Sequence, residues 1–206
     1  MGNTTNIACL GSTRGSDLDA VISAIQTGRI KAKISIVISN KQDAYILEKA
    51  KSQGINAVFL DAKGKSREEY DKEIISLIEK NKIDLVLLIG YMKILSEMFV
   101  SKYKNKIINV HPSLLPAFAG GMDKNVHQSV LDYGVKITGC TVHFVTDEID
   151  SGQIILQKTV LVEENDTAES LKEKVQKAEQ EILPKAVELF VNGKLKIEGR
   201  KVRILK

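Results

Sequence analysis

The chain lacks most features that mark secreted, membrane-bound or nucleic-acid-coating proteins. It has only two cysteines, Cys9 and Cys140, each inside an apolar segment, so a disulfide scaffold is not expected and a reducing compartment fits. No apolar run approaches the roughly 18 residues needed to cross a bilayer, and Met1 to Asn6 is polar where a signal peptide needs a basic and then an apolar stretch. No Pro/Ser-rich linker, low-complexity tract or internal repeat breaks the chain. The net charge of +4 is dispersed as Lys beside Glu, the pattern of solvated helix faces, which favours an anionic small molecule over a polymer as partner. The basic tail Lys194–Lys206 reads as a charged edge strand for the same reason. These absences predict a soluble, cytoplasmic protein without a nucleic-acid or membrane partner.

What is present is enough for a full core. With 206 residues, 43% of them hydrophobic, one domain spanning 1–206 is expected. Ile- and Val-rich runs alternate with helical patterns: Asn6–Leu10 extended, Ser16–Gln26 helical, Ile34–Ser39 extended, Asp43–Gln53 helical, Ala57–Leu60 extended. A helix from about Arg67 to Asn81 follows, with Tyr70, Ile74, Leu77 and Ile78 on one face. The unalternated run Leu85-Val86-Leu87-Leu88-Ile89 has the composition of a strand covered on both faces. Ile107–Val110 is another short strand, and Cys140–Val145 with Gln153–Val162 reads as an antiparallel pair. Asp166-Thr167-Ala168-Glu169 opens a helix through about Val191, with Pro184 as a kink or break, and the tail ends in a strand or hairpin. The fold class predicted is α/β: a doubly wound, mostly parallel sheet with antiparallel C-terminal strands.

Two places carry chemistry. After the first strand comes Gly11-Ser12-Thr13-Arg14-Gly15-Ser16-Asp17, leading into a helix. Small residues and a helix N-terminus present free N–H groups and a positive dipole end to a phosphate. The spacing matches neither the dinucleotide fingerprint nor a P-loop, which disfavours a nicotinamide cofactor or ATP. The same turn serves equally as a tight strand-to-helix connection capped by Ser16. The second place is Asn109-Val110-His111-Pro112 at the end of a buried strand. Side chains two apart on a strand share a side, so Asn109 and His111 can converge on one atom beyond the sheet edge. An amide and an imidazole together stabilise an oxyanion and carry protons, which suits acyl transfer. From the segment His143 to Gly152, Asp147 is the acid expected to bond the imidazole, whereas Glu148 and Asp150 read as a solvated turn.

With these residues in view, the sequence resembles the phosphoribosylglycinamide formyltransferase family over nearly its whole length. The landmarks are Gly15-Ser16, Ser39-Asn40-Lys41, Ser66-Arg67-Glu68-Glu69-Tyr70, Asn109-x-His111-Pro112-Ser113-Leu114-Leu115-Pro116, and His143-Phe144-Val145-Thr146-Asp147 through Asp150-Ser151-Gly152. The resemblance implies transfer of a formyl group from 10-formyltetrahydrofolate to the amine of glycinamide ribonucleotide, in purine biosynthesis, without a metal. Another amine such as an amino-sugar nucleotide, or a non-catalytic folate- or nucleotide-binding role, is the alternative. It implies Asn109, His111 and Asp147 as the catalytic trio. Gly15, Ser16, Asp17 and Arg67 would line the acceptor phosphate, with Gln176 and Glu179 toward the acceptor and Glu179 meeting its amine. Met92, Lys93, Ile94 and Leu95, with the backbone from Val142 through His143 to Asp147, would border the folate. A homodimer is compatible with it. The family usually has Asn at the place of Asp17 and Arg at that of Lys93, and its loop after Pro116 is shorter; here 117–125 reads as a lid. His127 is assigned to structure, and the length leaves no room for the further domains of related formyltransferases.

Overall fold

The computed structural model describes residues 4–120 and 126–206. Its strands are β1 (Thr5–Leu10), β2 (Ala32–Ser39), β3 (Ala57–Phe59), β4 (Leu85–Leu88), β5 (Ile107–His111), β6 (Ile137–Phe144), β7 (Ile154–Leu161), β8 (Leu195–Glu198) and β9 (Lys201–Ile204). The helices are α1 (Ser16–Gln26), α2 (Tyr45–Ser52), α3 (Arg67–Lys80), α4 (Glu97–Lys102), α5 (Val126–Tyr133) and α6 (Ala168–Val191). All strands join one sheet in the order β3-β2-β1-β4-β5-β6-β7-β9-β8. The first five are parallel, and β6 reverses against both β5 and β7.

The sheet is covered on both faces, and β4 shows why its sequence does not alternate. Leu85 and Leu87 enter the core shared with α1, α2 and α6, while Val86 and Leu88 enter the core shared with α3 and α4. Every position of that strand is therefore withdrawn from water. On α3 the expected face holds: Tyr70, Ile74 and Ile78 are buried and Leu77 is half-buried, and Ser66 with Glu69 forms a reciprocal capping box.

Three expectations change. Pro184 lies inside α6 without breaking it; burial of Ile182, Leu183, Ala186 and Val187 around it outweighs the ~3 kcal/mol that a helix-interior proline costs. The cap of α1 is Gly15, in a left-handed conformation (φ 63°), and no side chain caps that helix, so Ser16 is its first turn rather than its cap. The short helices α4 and α5 were not expected, because six to eight residues hold too few repeats for a 3.6-residue period to declare itself.

Strand order reverses between β1 and β4, the place where open α/β sheets leave a crevice at the carboxyl ends of their strands. The two segments leaving these strands are laced together there. Ser12 N–H donates to the Gly90 carbonyl (3.0 Å), and the Ser12 hydroxyl accepts from Met92 N–H (2.9 Å) while donating to Asn40 Oδ1 (2.6 Å).

Candidate active site

Beside that crevice lies a cavity of about 390 Å³ whose inner wall is Asn109, His111, His143 and Asp150. Its size falls in the range of small-molecule sites. Asn109 and His111 sit at the end of β5 and pair across the ladder with His143 and Thr141 of β6, so the period of two does bring both polar side chains to one wall.

The Asn-x-His strand is followed by a chain segment that is tightly held. Thr141, fully buried, accepts from Leu115 N–H (3.0 Å) and donates to the Ser113 carbonyl (2.7 Å). Gln157 then donates to both the Leu115 carbonyl and the Thr141 hydroxyl (3.0 Å each). This brings Phe118 and Gly120 back to the site. The Phe118 carbonyl lies 3.1 Å from His111 Nε2, and Gly120 N–H donates to Asp150 Oδ2 (2.9 Å).

The acid that meets His111 is Asp150, not Asp147. Asp150 Oδ2 is 3.3 Å from His111 Nδ1, and its other oxygen is 3.8 Å from His143 Nε2. Asp147 lines the cavity but is exposed. The reason lies in the turn: Asp150 adopts a left-handed backbone (φ 51°), a conformation that Asp tolerates better than most residues, and Ser151 N–H closes the turn onto the Glu148 carbonyl. The chain thereby folds its second acid inward and leaves the first at the rim.

Both ring nitrogens of His111 thus face acceptors, and only the imidazolium can donate to both. Burial pushes its pKa down, while Asp150 and the Phe118 carbonyl push it up, and burial is the larger effect. The ring is therefore able to hold a proton in an ion pair and ready to release it, as proton transfer near neutral pH requires.

The apolar wall is the segment after β4. Met92, Lys93, Ile94 and Leu95 all line the cavity, as do His143 and Asp147. Lys93 Nζ stands over the Tyr70 ring at 5.3 Å. Val142 does not contribute its side chain: it is fully buried in the core against α1 and α6, one residue out of phase with His143. His127 lines the opposite side, buried, with its pKa lowered by desolvation to about 4, a largely neutral ring that fits its structural assignment.

The residues expected around the acceptor are more dispersed. Gly15, Ser16 and Asp17 form the first turn of α1, whose N–H groups have no side-chain cap. None of them lines the cavity described above. Asp17 turns inward and is only 4% exposed, with Oδ1 lacking a hydrogen-bond partner. Glu179 on α6 is 6% exposed and stands close enough to Asp17 for the two charges to repel. Gln176 is half-buried one turn earlier on α6. Arg67 opens α3 on the other face of the sheet, where its charge is felt by Asp71; the expected approach to the phosphate turn is not made. The lid expected over 117–125 is described only to Gly120, and 121–125 lie outside the described residues.

Spacing alone did not reveal Asp150, the Phe118 carbonyl or the Gly120 N–H as parts of the site. For Asp150 a signal was available: an Asp two residues before Gly152 suits a left-handed turn position.

Comparison with known proteins places the chain among relatives of one family. Residues 5–187 match the family model described as formyl transferase. The chain is 42% identical to phosphoribosylglycinamide formyltransferase of Escherichia coli (strain K12), over 93% of this chain and 90% of that protein. It is 44% identical to the human trifunctional purine biosynthetic protein adenosine-3 over 93% of this chain, but spans only 19% of that protein's length. Among solved structures, glycinamide ribonucleotide transformylase 1 from Symbiobacterium toebii superposes with a TM-score of 0.96 at 41% identity, covering 100% of this chain and 96% of that one.

Proposed function

This chain belongs to the formyl transferase family, and we propose that it transfers a formyl group from 10-formyltetrahydrofolate to the amine of glycinamide ribonucleotide. The observation that carries the reading is the convergence of Asn109, His111 and Asp150 on the inner wall of one cavity. The named activities of the similar proteins supply the substrate pair.

The chemistry needs a site for negative charge and a route for one proton. The acceptor amine forms a bond to the formyl carbon, the formyl C=O becomes an oxyanion, and collapse breaks the bond between that carbon and the folate nitrogen. Asn109 and His111 stand where they can donate to the oxyanion, an arrangement worth roughly 10²- to 10³-fold per donor in acyl-transfer enzymes. His111 Nε2–H is directed to the Phe118 carbonyl, so the oxyanion competes with that carbonyl for the same proton. Asp150 holds the imidazolium from the other side, and relays the proton lost by the amine toward the folate nitrogen that leaves. Asp147, exposed at the rim, takes no part in this relay. The apolar side chains of Met92, Ile94 and Leu95 suit the flat ring system of the donor, and the uncapped first turn of α1 suits the acceptor phosphate.

The test is loss of 10-formyltetrahydrofolate on addition of glycinamide ribonucleotide, with His111→Ala as the control. Turnover that falls about 10³-fold in the variant supports donor, acceptor and site together. A folded protein that binds the donor yet transfers nothing sinks the acceptor assignment and directs the search to other amines. Failure to bind the donor sinks the enzymatic reading.

A further inference from the structure

His143 is the second imidazole on the cavity wall, and its hydrogen bonds give it a part different from that of His111. Its Nδ1 lies 2.8 Å from the carbonyl of Phe144, which can only accept. The proton of the neutral ring is therefore on Nδ1, and Nε2 keeps a lone pair. That nitrogen faces Asn109 Nδ2 at 3.1 Å. Only the NH₂ end of an amide can complete this pair, since the amide oxygen would set two lone pairs against each other.

The surroundings hold the ring in that state. His143 is 2% exposed, and both burial and the neighbouring His111 disfavour its cation, against the Phe144 carbonyl and Asp150. Asn109 and His143 are direct partners across the β5–β6 ladder, so the backbone register sets their separation. Behind the ring stands Gly152, where an added Cβ would come within 1.7 Å of the Phe144 carbonyl oxygen and 3.4 Å of His143 Nδ1. A side chain at that position would displace the acceptor that chooses the tautomer.

We propose that His143 is a positioning residue: held as the Nδ1–H tautomer by the Phe144 carbonyl, it accepts from Asn109 and so fixes the NH₂ end of that amide, with its second N–H free for the formyl oxygen, at the junction with Asp150. The same tautomer decides the partner of Asp150. Its Oδ1, 3.8 Å from His143 Nε2, meets a lone pair there, so the carboxylate pairs with His111 alone. The inference rests on the transfer reaction proposed above for its kinetic consequences, but the tautomer itself does not.

Two measurements test it. In ¹⁵N-histidine-labelled protein at neutral pH, His143 should show a protonated Nδ1 and an unprotonated Nε2. A protonated Nε2 on His143 would overturn the proposal, and this readout needs no acceptor, so absence of transfer would sink the functional reading alone. In kinetics, His143→Leu should lower kcat about 30- to 100-fold with the donor KM within about threefold, the signature of an interaction lost in the transition state. His143→Gln, whose Oε1 can accept where Nε2 did, should recover most of that loss. Adding His143→Leu to Asn109→Ala should cost less than about threefold further, because His143 acts through the amide already removed. Losses that multiply in the double variant, or a leucine variant as fast as the parent, would overturn it. If His143→Leu does not fold, the spectrum and His143→Gln decide.

Discussion

Two inward-facing acids in this molecule, one half-buried and one buried, have opposite surroundings. Asp150 lies between His111 and His143 and receives an N–H from Gly120. Asp17, on the far side of the crevice, faces Glu179 and has an oxygen with no hydrogen-bond partner. Lys49 of α2 supplies an opposing charge, and it bonds the Asp19 carboxylate and the Gly15 carbonyl (3.3 Å). Burial raises the pKa of Asp17 to about 7, with Lys49 opposing and Asp19 adding to the rise, and burial pushes that of Glu179 well above the carboxylate range, with the Asp17 charge adding to it. The comparison teaches that burial alone does not set what an acid does. Given donors and a cation, a carboxylate is held ready to organise proton transfer. Given another carboxylate, it retains a proton, which brings Asp17 nearer to the neutral Asn usual in the family at that position.

The largest effect should separate Asp150 from Asp147. Asp150→Ala is expected to lower kcat/KM by about 10²- to 10³-fold, whereas Asp147→Ala should stay within about threefold; steady-state assays of both variants decide which acid supports His111. A reversed order would restore the first acid and undo the contrast drawn here.

Next is the acid pair. Because Asp17 is raised above its unfolded value near 4, the unfolded chain releases a proton that the native state keeps. Stability should therefore be highest below about pH 4 with respect to this group and fall as pH rises toward about 7. Asp17→Asn should remove that slope and raise stability at pH 8 by about 2 kcal/mol, read from denaturant unfolding at pH 5 and pH 8. A steeper loss in the variant would mean that Asp17 is ionised and compensated.

Smaller still is the coupling between the two acids. Glu179→Gln should stabilise in the same direction, and combining it with Asp17→Asn should give less than the sum by about 1 kcal/mol, since either change already removes the repulsion. Smallest of all, Lys49→Met should move the pH midpoint of the stability change upward, because it deletes the positive charge that opposes the rise of Asp17.

How much of this was legible before folding differs between the two regions. Asn109 and His111 could be paired from spacing alone because a strand has a period of two and their strand is regular. Asp150 could not be preferred over Asp147, because the choice rests on a left-handed residue in a turn, where no period applies. Val142 and His143 make the same point within one strand: the segment was correctly placed at the site, but only one of two neighbours can face the cavity, and its register against β5 decides which. The place of Arg67 near the phosphate is implied by the family resemblance alone, and the face of the sheet on which its helix packs is not encoded locally.

The amino-acid sequence by itself determined the alternation of strands and helices, the double coverage of β4, and the Asn-x-His pair, because each depends on periodicity over neighbouring residues. Only the tertiary structure decided which acid meets His111, which tautomer His143 adopts, and that Asp17 faces Glu179. Those are meetings of residues tens of positions or more apart, or choices made by a single carbonyl or turn, and no local pattern carries their geometry.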